Sequence, residues 1–381
     1  MESVVNLRKV AIIGVGLTPF DNYNDVSSED IARAAVIAAL KDAQLERRDI
    51  QYAIFAHLYQ GEVLGQRVLR GLGFPEISIL NLENACASGS SAVREAWLAL
   101  AAEQFDVALV VGIEKMARGL ISFVSADVEL ALGNVAPAQY AMCARRHMHE
   151  FGTTAEMFAQ IAVKNRQHAS QNPNARFRDL ISVEEVLASR PIAEPITLLE
   201  CCRNGSGAAA VVLASENYIR RHGKDPVWIS GSGLSSFISD KQSLDLTNFG
   251  ATRAAAEMAY NMAGLGPEDL DIVELHDAFA QGELLHYEGL GLCKKGEGGR
   301  LVHDGDTKLG GCIPVNLSGG LLSKSHPLGA TGVAQFSELV WQLRGTAEGR
   351  QVENAKIGLA HSQGGTGLEA GATAVTILSR G

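Results

Sequence analysis

Four short stretches of this sequence place reactive side chains where a fold could present them. The first, "NLENACASGSSAVREAW" from Asn81, sets Cys86 among small residues just before a helical pattern. A thiol at a helix N-terminus meets the positive end of the dipole, which favours thiolate. Small neighbours leave room for a substrate and leave backbone N–H groups able to hold an oxyanion. A buried cysteine packed into a tight turn explains the same stretch equally well. The second, "GGLLSKSHPLGATG", holds His326 between glycines, with Pro327 fixing the chain behind it. An imidazole held in such a loop can take the proton of a cysteine. The third, "ELHDAF", puts His276 and Asp277 after the strand-like run "DIVEL", where a neutral imidazole can donate to a carbonyl oxygen. Its structural alternative is a His-Asp pair capping a turn. The fourth, "LAHSQGGTG", follows another strand pattern and offers His361, Ser362 and bare glycine N–H groups near Gly365.

These stretches need a scaffold. Short apolar runs such as "KVAIIGVGL", "YAIFAH", "DVALVVGIE" and "AAAVVLASE" alternate with helical patterns such as "SSEDIARAAVIAALKDAQ", whose Ser27 and Asp30 resemble a capping pair. Strand–helix alternation with continuously apolar strands predicts an α/β fold around a buried sheet. The pattern runs twice. "LERRDIQYAIFAH" parallels "LGPEDLDIVELHD", and "ILNLENACASG" parallels "PVNLSGGLLSKSHPLG", as in a duplicated unit. Between the halves, residues 117–200 lose the rhythm and read as a mostly helical insertion, a lid or substrate platform. The expected division is 1–116 with 201–223, then 117–200, then 224–381.

Composition narrows the function classes. The 381 residues are 46% hydrophobic and 20% charged, with a formal charge of −10, against a general nucleic-acid binder. None of the six cysteines forms a C-x-x-C pair, so a reduced compartment and no metal site in this chain are expected. The N-terminal residues carry no signal-peptide pattern and no apolar run is long enough to span a bilayer, so a cytoplasmic protein is expected.

Taken together, "NACASGSSA", "VGIEKM", "KNRQHA", "NGSGAAAVVLAS", "HDAF", "SHPLGATG" and "SQGGTG" resemble the thiolase superfamily in order and approximate spacing, over nearly the whole chain. "HDAF" with "GLGLCKKGEGG" is similar to the sterol-carrier-protein and archaeal-type branch. The resemblance implies duplicated halves in a five-layered αβαβα sandwich with a helical loop domain. It implies Cys86 as an acyl-accepting nucleophile, His326 as its activator and His276 as an oxyanion donor. Backbone N–H groups of Cys86 and a glycine near Gly365 would form a second oxyanion hole. The family's usual second cysteine is missing. Its two customary places hold His361 or Ser362, and Ala278, which leaves His361 or another group as acid/base, with Cys293 a remote candidate.

The resemblance further implies coenzyme A as substrate, with cations from the insertion at its phosphates: Arg145, Arg146 and His147, Lys164 and Arg166. Outside the insertion, Lys294, Lys295 and Arg300 of "CKKGEGGR" are candidates by the same weak logic. It also implies a homodimer core and a separate small OB-fold, zinc-ribbon subunit. The expected reaction is thiolytic cleavage of a β-ketoacyl-CoA or the reverse Claisen condensation, with an aromatic or branched substrate such as benzoylsuccinyl-CoA. C-acyl transfer between non-CoA ketones, retro-aldol cleavage and a non-catalytic acyl-CoA-binding subunit stand as alternatives.

Overall fold

A computed structural model describes residues 7–117, 133, 135–238, 245–365 and 370–380. The first part of the expected insertion (118–132 and 134) and the Thr366–Gly367 end of the fourth stretch lie outside the described residues. The first half runs β1 (Val10–Leu17), α1 (Ser28–Ala43), β2 (Tyr52–Ala56), α2 (Leu64–Leu72), β3 (Ser78–Leu82), α3 (Ser88–Ala101) and β4 (Val107–Glu114). Then come α4 (Ala136–Phe151), α5 (Ala155–Ser170), α6 (Val183–Ala188) and the hairpin β5 (Pro191–Ala193) and β6 (Ile196–Thr197). After β7 (Gly207–Ser215) and α7 (Glu216–His222), the second half begins with β8 (Val227–Ile238) and α8 (Gly250–Ala263). It continues through β9 (Ile272–Glu274), α9 (Ala280–Gly289), α10 (Gly298–His303), α11 (Gly320–Lys324), α12 (Leu328–Arg344), β10 (Ile357–Gly365) and β11 (Ala370–Ser379).

Nine strands form one sheet in the order β3-β2-β4-β7-β1-β8-β11-β10-β9. It has two arms, one per half, joined where β1 meets β8 at Ala11–Trp228 and Ile12–Val227. Strand by strand the arms correspond: β1 with β8, β7 with β11, β4 with β10 and β2 with β9. At "CIPVNLSGG" the second arm keeps only a single bridge between Val273 and Val315 where a β3 equivalent would lie. The quoted parallel runs hold the same 3-10 turn, Arg47–Asp49 before β2 and Pro267–Asp269 before β9. Each half also uses two strand glycines to admit a helix. A Cβ at Gly14 or Gly16 would strike α1 carbonyls, and one at Gly231 or Gly233 would strike α8 carbonyls.

Strand β7, "GAAAVVLAS", is buried along its whole length, as a strand covered on both faces must be. Helices α3 and α12 fill the space between the arms. Their Val93, Ala96, Trp97, Val333, Phe336 and Leu339 share one core with Ile54, Val110 and Val211 of the first arm and Ile272, Ala360 and Leu378 of the second. Helices α1 and α2 cover the outer face of the first arm, and α8, α9 and α5 cover that of the second. The result is the expected five layers, helix–sheet–helix–sheet–helix.

The two central helices meet at glycines near their N-terminal ends. A Cβ on Gly89 would stand 2.8 Å from the Gly329 carbonyl oxygen, and one on Gly332 would stand 2.6 Å from Ser90 N. Gly332→Ala therefore forces the pair apart and should cost about 1–3 kcal/mol in a urea or thermal unfolding measurement.

Candidate active site

The turn between β3 and α3 presents Cys86. Ala85 adopts a left-handed φ of 48°, a conformation costing roughly 1–2 kcal/mol for a residue with a Cβ. Local hydrogen bonds hold it: Asn84 N donates to Ser88 Oγ (2.8 Å) and Ala87 N to Asn84 O (3.0 Å). Asn84 Nδ2 also donates to Ser91 Oγ at 3.0 Å. On the other side Gly364 of β10 presses so close that a Cβ would lie 2.6 Å from Cys86 N.

His326 sits in the bend between α11 and α12. Ser325 before it takes a φ of 82°, and His326 N donates to Arg203 O at 2.9 Å. Its Nδ1 lies 2.8 Å from Thr331 Oγ1, and that hydroxyl donates to Pro327 O at 2.9 Å. The hydroxyl proton is thus committed, so Nδ1 carries the ring proton and donates to Thr331. Nε2 is left as a bare lone pair, buried without a partner.

His276 follows β9. Its ring stands edge-on to His326 with centroids 5.1 Å apart, and its Nδ1 is buried without a partner. The Cys86 sulfur, one ring nitrogen of His276 and one of His326 all lie within 4.8 Å of one another. Asp277, next in sequence, points elsewhere. It accepts from Leu321 N (2.7 Å), Leu322 N (3.2 Å) and Asn165 Nδ2 (2.8 Å), capping the α11 turn. In "HDAF", then, the histidine faces the site and the aspartate builds the wall.

Burial sets the charges. It pushes the Cys86 thiol up to about 12, with the nearby Glu114 carboxylate adding to the shift. The expectation of a dipole-stabilised thiolate is corrected here. Residue 86 precedes the helix by two positions, and loss of solvent is the largest influence on its thiol. Burial likewise takes His276 down to about 3 and His326 well below its usual value, the latter with help from His276. The resting site is therefore thiol and neutral imidazoles.

Two supports escape sequence reading. Glu114, at the end of β4, accepts from Leu58 N (3.0 Å), Tyr59 N (2.9 Å), Gln60 Nε2 (2.7 Å) and Gly329 N (3.1 Å). It clamps the α12 N-terminus to the first arm; "VGIEKM" was its only sequence signal. Thr331, which fixes the His326 tautomer, is hidden in "SHPLGATG" as an ordinary helix residue.

Comparison with known proteins bears on this arrangement. A model of the thiolase N-terminal domain matches residues 10–217, and one of the thiolase C-terminal domain-like region matches 237–380. The chain belongs to the thiolase family. It is an acyltransferase of that family. It is 41% identical to the acetyl-CoA acetyltransferase of Methanothermobacter thermautotrophicus, over 98% of this chain and 100% of that one. It is 42% identical to benzoylsuccinyl-CoA thiolase subunit BbsB of Thauera aromatica, over 94% and 95%. Among solved structures, the Ltp2-ChsH2(DUF35) aldolase superposes with a TM-score of 0.86 at 30% identity, covering 98% of each chain.

Against the thiolase pattern, the place of the second cysteine is instructive. His361 is fully buried with both ring nitrogens engaged. Nδ1 accepts from His276 N at 3.4 Å, and Nε2 lies 3.3 Å from Thr252 Oγ1. It braces the backbone of the His276 loop and does not join the Cys86–His276–His326 set, which corrects its expected place as acid/base. Ser362, on the other face of β10, meets Ser90 (3.0 Å) and Gln335 (2.9 Å) in the central layer. Gly364, not Gly365, makes the close approach to Cys86, while Gly365 follows at a φ of 129° open to glycine. Cys293 packs at the edge of the α8–α9 core, with its thiol pushed up to about 12 by burial.

The cation expectations divide. Lys164 is 1% exposed, donating to Val315 O (2.8 Å) and paired with Glu283 at 2.7 Å. Periodicity along α5 turns it inward, so it is corrected from a phosphate contact to a core ion pair. His147 is also buried, between Thr153 (2.7 Å) and Glu288 (2.9 Å). Arg145 and Arg146 are exposed on α4, with Arg146 paired to Glu150. Lys295 pairs with Asp245 and Arg300 with Glu297. Arg166 differs: its guanidinium carbon and those of Arg176 and Arg203 surround the Phe177 ring at 5.5, 5.0 and 5.3 Å from the centroid.

Because the thiol lies so high, alkylation of Cys86 by iodoacetamide should rise about tenfold per pH unit from 7 to 10, with no plateau in that range. A plateau near pH 8.5 would show an ordinary exposed thiol. Mass spectrometry of the Cys86 peptide against time reads the rate.

Proposed function

We propose that this enzyme moves acyl groups between a β-ketoacyl-CoA and coenzyme A through a thioester on Cys86. The His326 ring, one nitrogen of which lies within 4.8 Å of the Cys86 sulfur and whose Nε2 is buried without a partner, carries this reading. In the cleavage direction His326 Nε2 takes the S–H proton as sulfur attacks the keto carbonyl. The oxyanion is held by backbone N–H groups at Cys86 and at the Gly364–Gly365 end of β10. The carbon–carbon bond then breaks, and its electron pair passes to the thioester oxygen of the leaving fragment, where His276 donates its ring N–H. His326 returns its proton to the enolate carbon. Its burial makes the imidazolium a strong acid, so one histidine serves both steps without the family's second thiol. The thiol of coenzyme A, again deprotonated by His326, releases the acyl group from Cys86.

Incubation with a β-ketoacyl-CoA lacking free coenzyme A should leave the acyl mass on Cys86. His326→Ala should lower kcat about 10²–10⁴-fold, and His276→Ala about 10²–10³-fold with Cys86 alkylation little changed. Turnover that survives Cys86→Ala would instead favour the retro-aldol reading, which the similarity to an aldolase keeps in play.

For the phosphates of coenzyme A, the Phe177 cluster is the better candidate. Arg203 joins the His326 loop through its own carbonyl, and Phe177 N donates to Ser323 O three residues before that histidine. The Arg203 guanidinium carbon stands 5.3 Å from the Phe177 ring centroid, and its charge also acts on Arg166 and Cys201. Arg166→Ala with Arg203→Ala should raise KM for the CoA thioester about tenfold and leave KM for the matching N-acetylcysteamine thioester unchanged. Equal loss for both thioesters would place the cluster elsewhere in the cycle.

Phe279 of "HDAF" forms an aromatic cluster with Tyr140 and Phe249, with Tyr140 and Phe279 centroids 4.7 Å apart. This supports an aromatic or branched acyl group, benzoylsuccinyl-CoA among the candidates. The edge strand β3, with Leu80 exposed, supports a homodimer core. The subunit naming of BbsB and the ChsH2(DUF35) partner in the aldolase complex support a second, small subunit. Among the described residues no helix is long and apolar enough to cross a membrane.

A further inference from the structure

The Cys86–His276–His326 set has a property that acyl transfer does not require. Its sulfur and one nitrogen of each imidazole lie within 4.8 Å of one another, and two ring nitrogens, His326 Nε2 and His276 Nδ1, are buried without partners. Sulfur with two imidazoles is the donor mixture that zinc-like cations take. The outer contact fits as well. His326 donates Nδ1–H to Thr331 Oγ1 at 2.8 Å, the kind of hydrogen bond that fixes the tautomer of a metal-bound histidine and aims its other nitrogen. The Glu114 carboxylate, close enough to act on the Cys86 thiol, supplies negative charge nearby.

We propose that Cys86, His276 and His326 form a three-donor site for a thiophilic divalent cation of the zinc class, and that occupancy excludes acyl transfer. Tetrahedral coordination sets donor atoms roughly 3.5 Å apart, so no separation has to close by more than about 1.3 Å through side-chain rotation. The cation forms one bond to sulfur and one to each imidazole, the S–H proton leaves to solvent, and no electron is transferred. The fourth position stays open to water. The bound sulfur is no longer a free nucleophile, and the His326 lone pair is no longer a base. The cation thus masks the nucleophile reversibly and shields it from alkylation.

Cobalt(II) is the probe, added to the full-length protein without substrate. One equivalent should raise a thiolate-to-cobalt charge-transfer band that zinc(II) abolishes. Cys86→Ser should remove the band, and Thr331→Val, which strips the outer hydrogen bond, should weaken binding about 10–100-fold. Circular dichroism of each variant confirms that it folds. In wild-type protein, zinc(II) should slow iodoacetamide labelling of Cys86 at least tenfold, with EDTA restoring it. Absence of the band, its persistence in Cys86→Ser, or labelling indifferent to zinc(II) overturns the proposal. None of these readouts needs turnover, so they stand apart from the outcome of the acyl-transfer tests.

Discussion

The approach of two helix N-termini, glycine against backbone, is the constraint on which the site depends. Gly89, Gly329 and Gly332 let α3 and α12 close until any added methyl would meet a neighbouring main chain. Cys86 sits just before one helix and His326 just before the other. Their distance is therefore set by how closely the helices pack, and packed interiors resist adjustment. Gly112 and Gly364 extend the same rule to the strands on either side, where a Cβ would strike Gly329 and the Cys86 turn. The duplicated fold supplies the geometry: each half presents one strand-to-helix turn, and the layer between the arms brings the two together.

The same enclosure decides the electrostatics. With water removed, the neutral form of every titratable group in the trio is favoured. A neutral thiol beside a neutral imidazole is a weaker starting pair than an ion pair, but its proton moves only when a substrate oxyanion is there to be stabilised. Structural carboxyl groups are kept one step back and hydrogen-bonded. Asp277 caps α11, and Glu283 joins Lys164, Asn165 and Asn316. Asn316 in turn accepts from Leu275 N, next to His276, at 2.8 Å. Removing one partner of such a buried pair costs about 3–5 kcal/mol, so this network fixes the His276 loop more firmly than the loop's own turn could.

Much of this was legible in the sequence. Cys86, His276 and His326 stand out because each sits between a recognisable strand and helix, with small or turn-forming residues around it. The duplication showed in paired runs that now prove to hold the same 3-10 turn and strand. What stayed hidden depends on which way a side chain faces. Lys164 and Arg166 lie two residues apart on α5 and look alike as letters, yet one is a core cation and the other reaches the Phe177 cluster. His361 and Ser362 occupy opposite faces of β10, one bracing the His276 loop and the other bonded within the central layer, and the letters alone do not show that both are engaged elsewhere. The Cys86 thiol was misjudged because helix position is readable in sequence and depth of burial is not. Arg176 and Arg203 gave no signal, since three separated segments must fold before their guanidinium groups share one ring.

The central claim is that the Cys86 sulfur and the His326 Nε2 share one small enclosed space. Treatment with 1,3-dichloroacetone, a three-carbon bridging reagent, tests it directly by peptide mass spectrometry. The account predicts a cross-linked product joining the Cys86 peptide to the His326 peptide, suppressed by prior acylation of the thiol. Single alkylation of Cys86, with no bridge to that histidine, would contradict it.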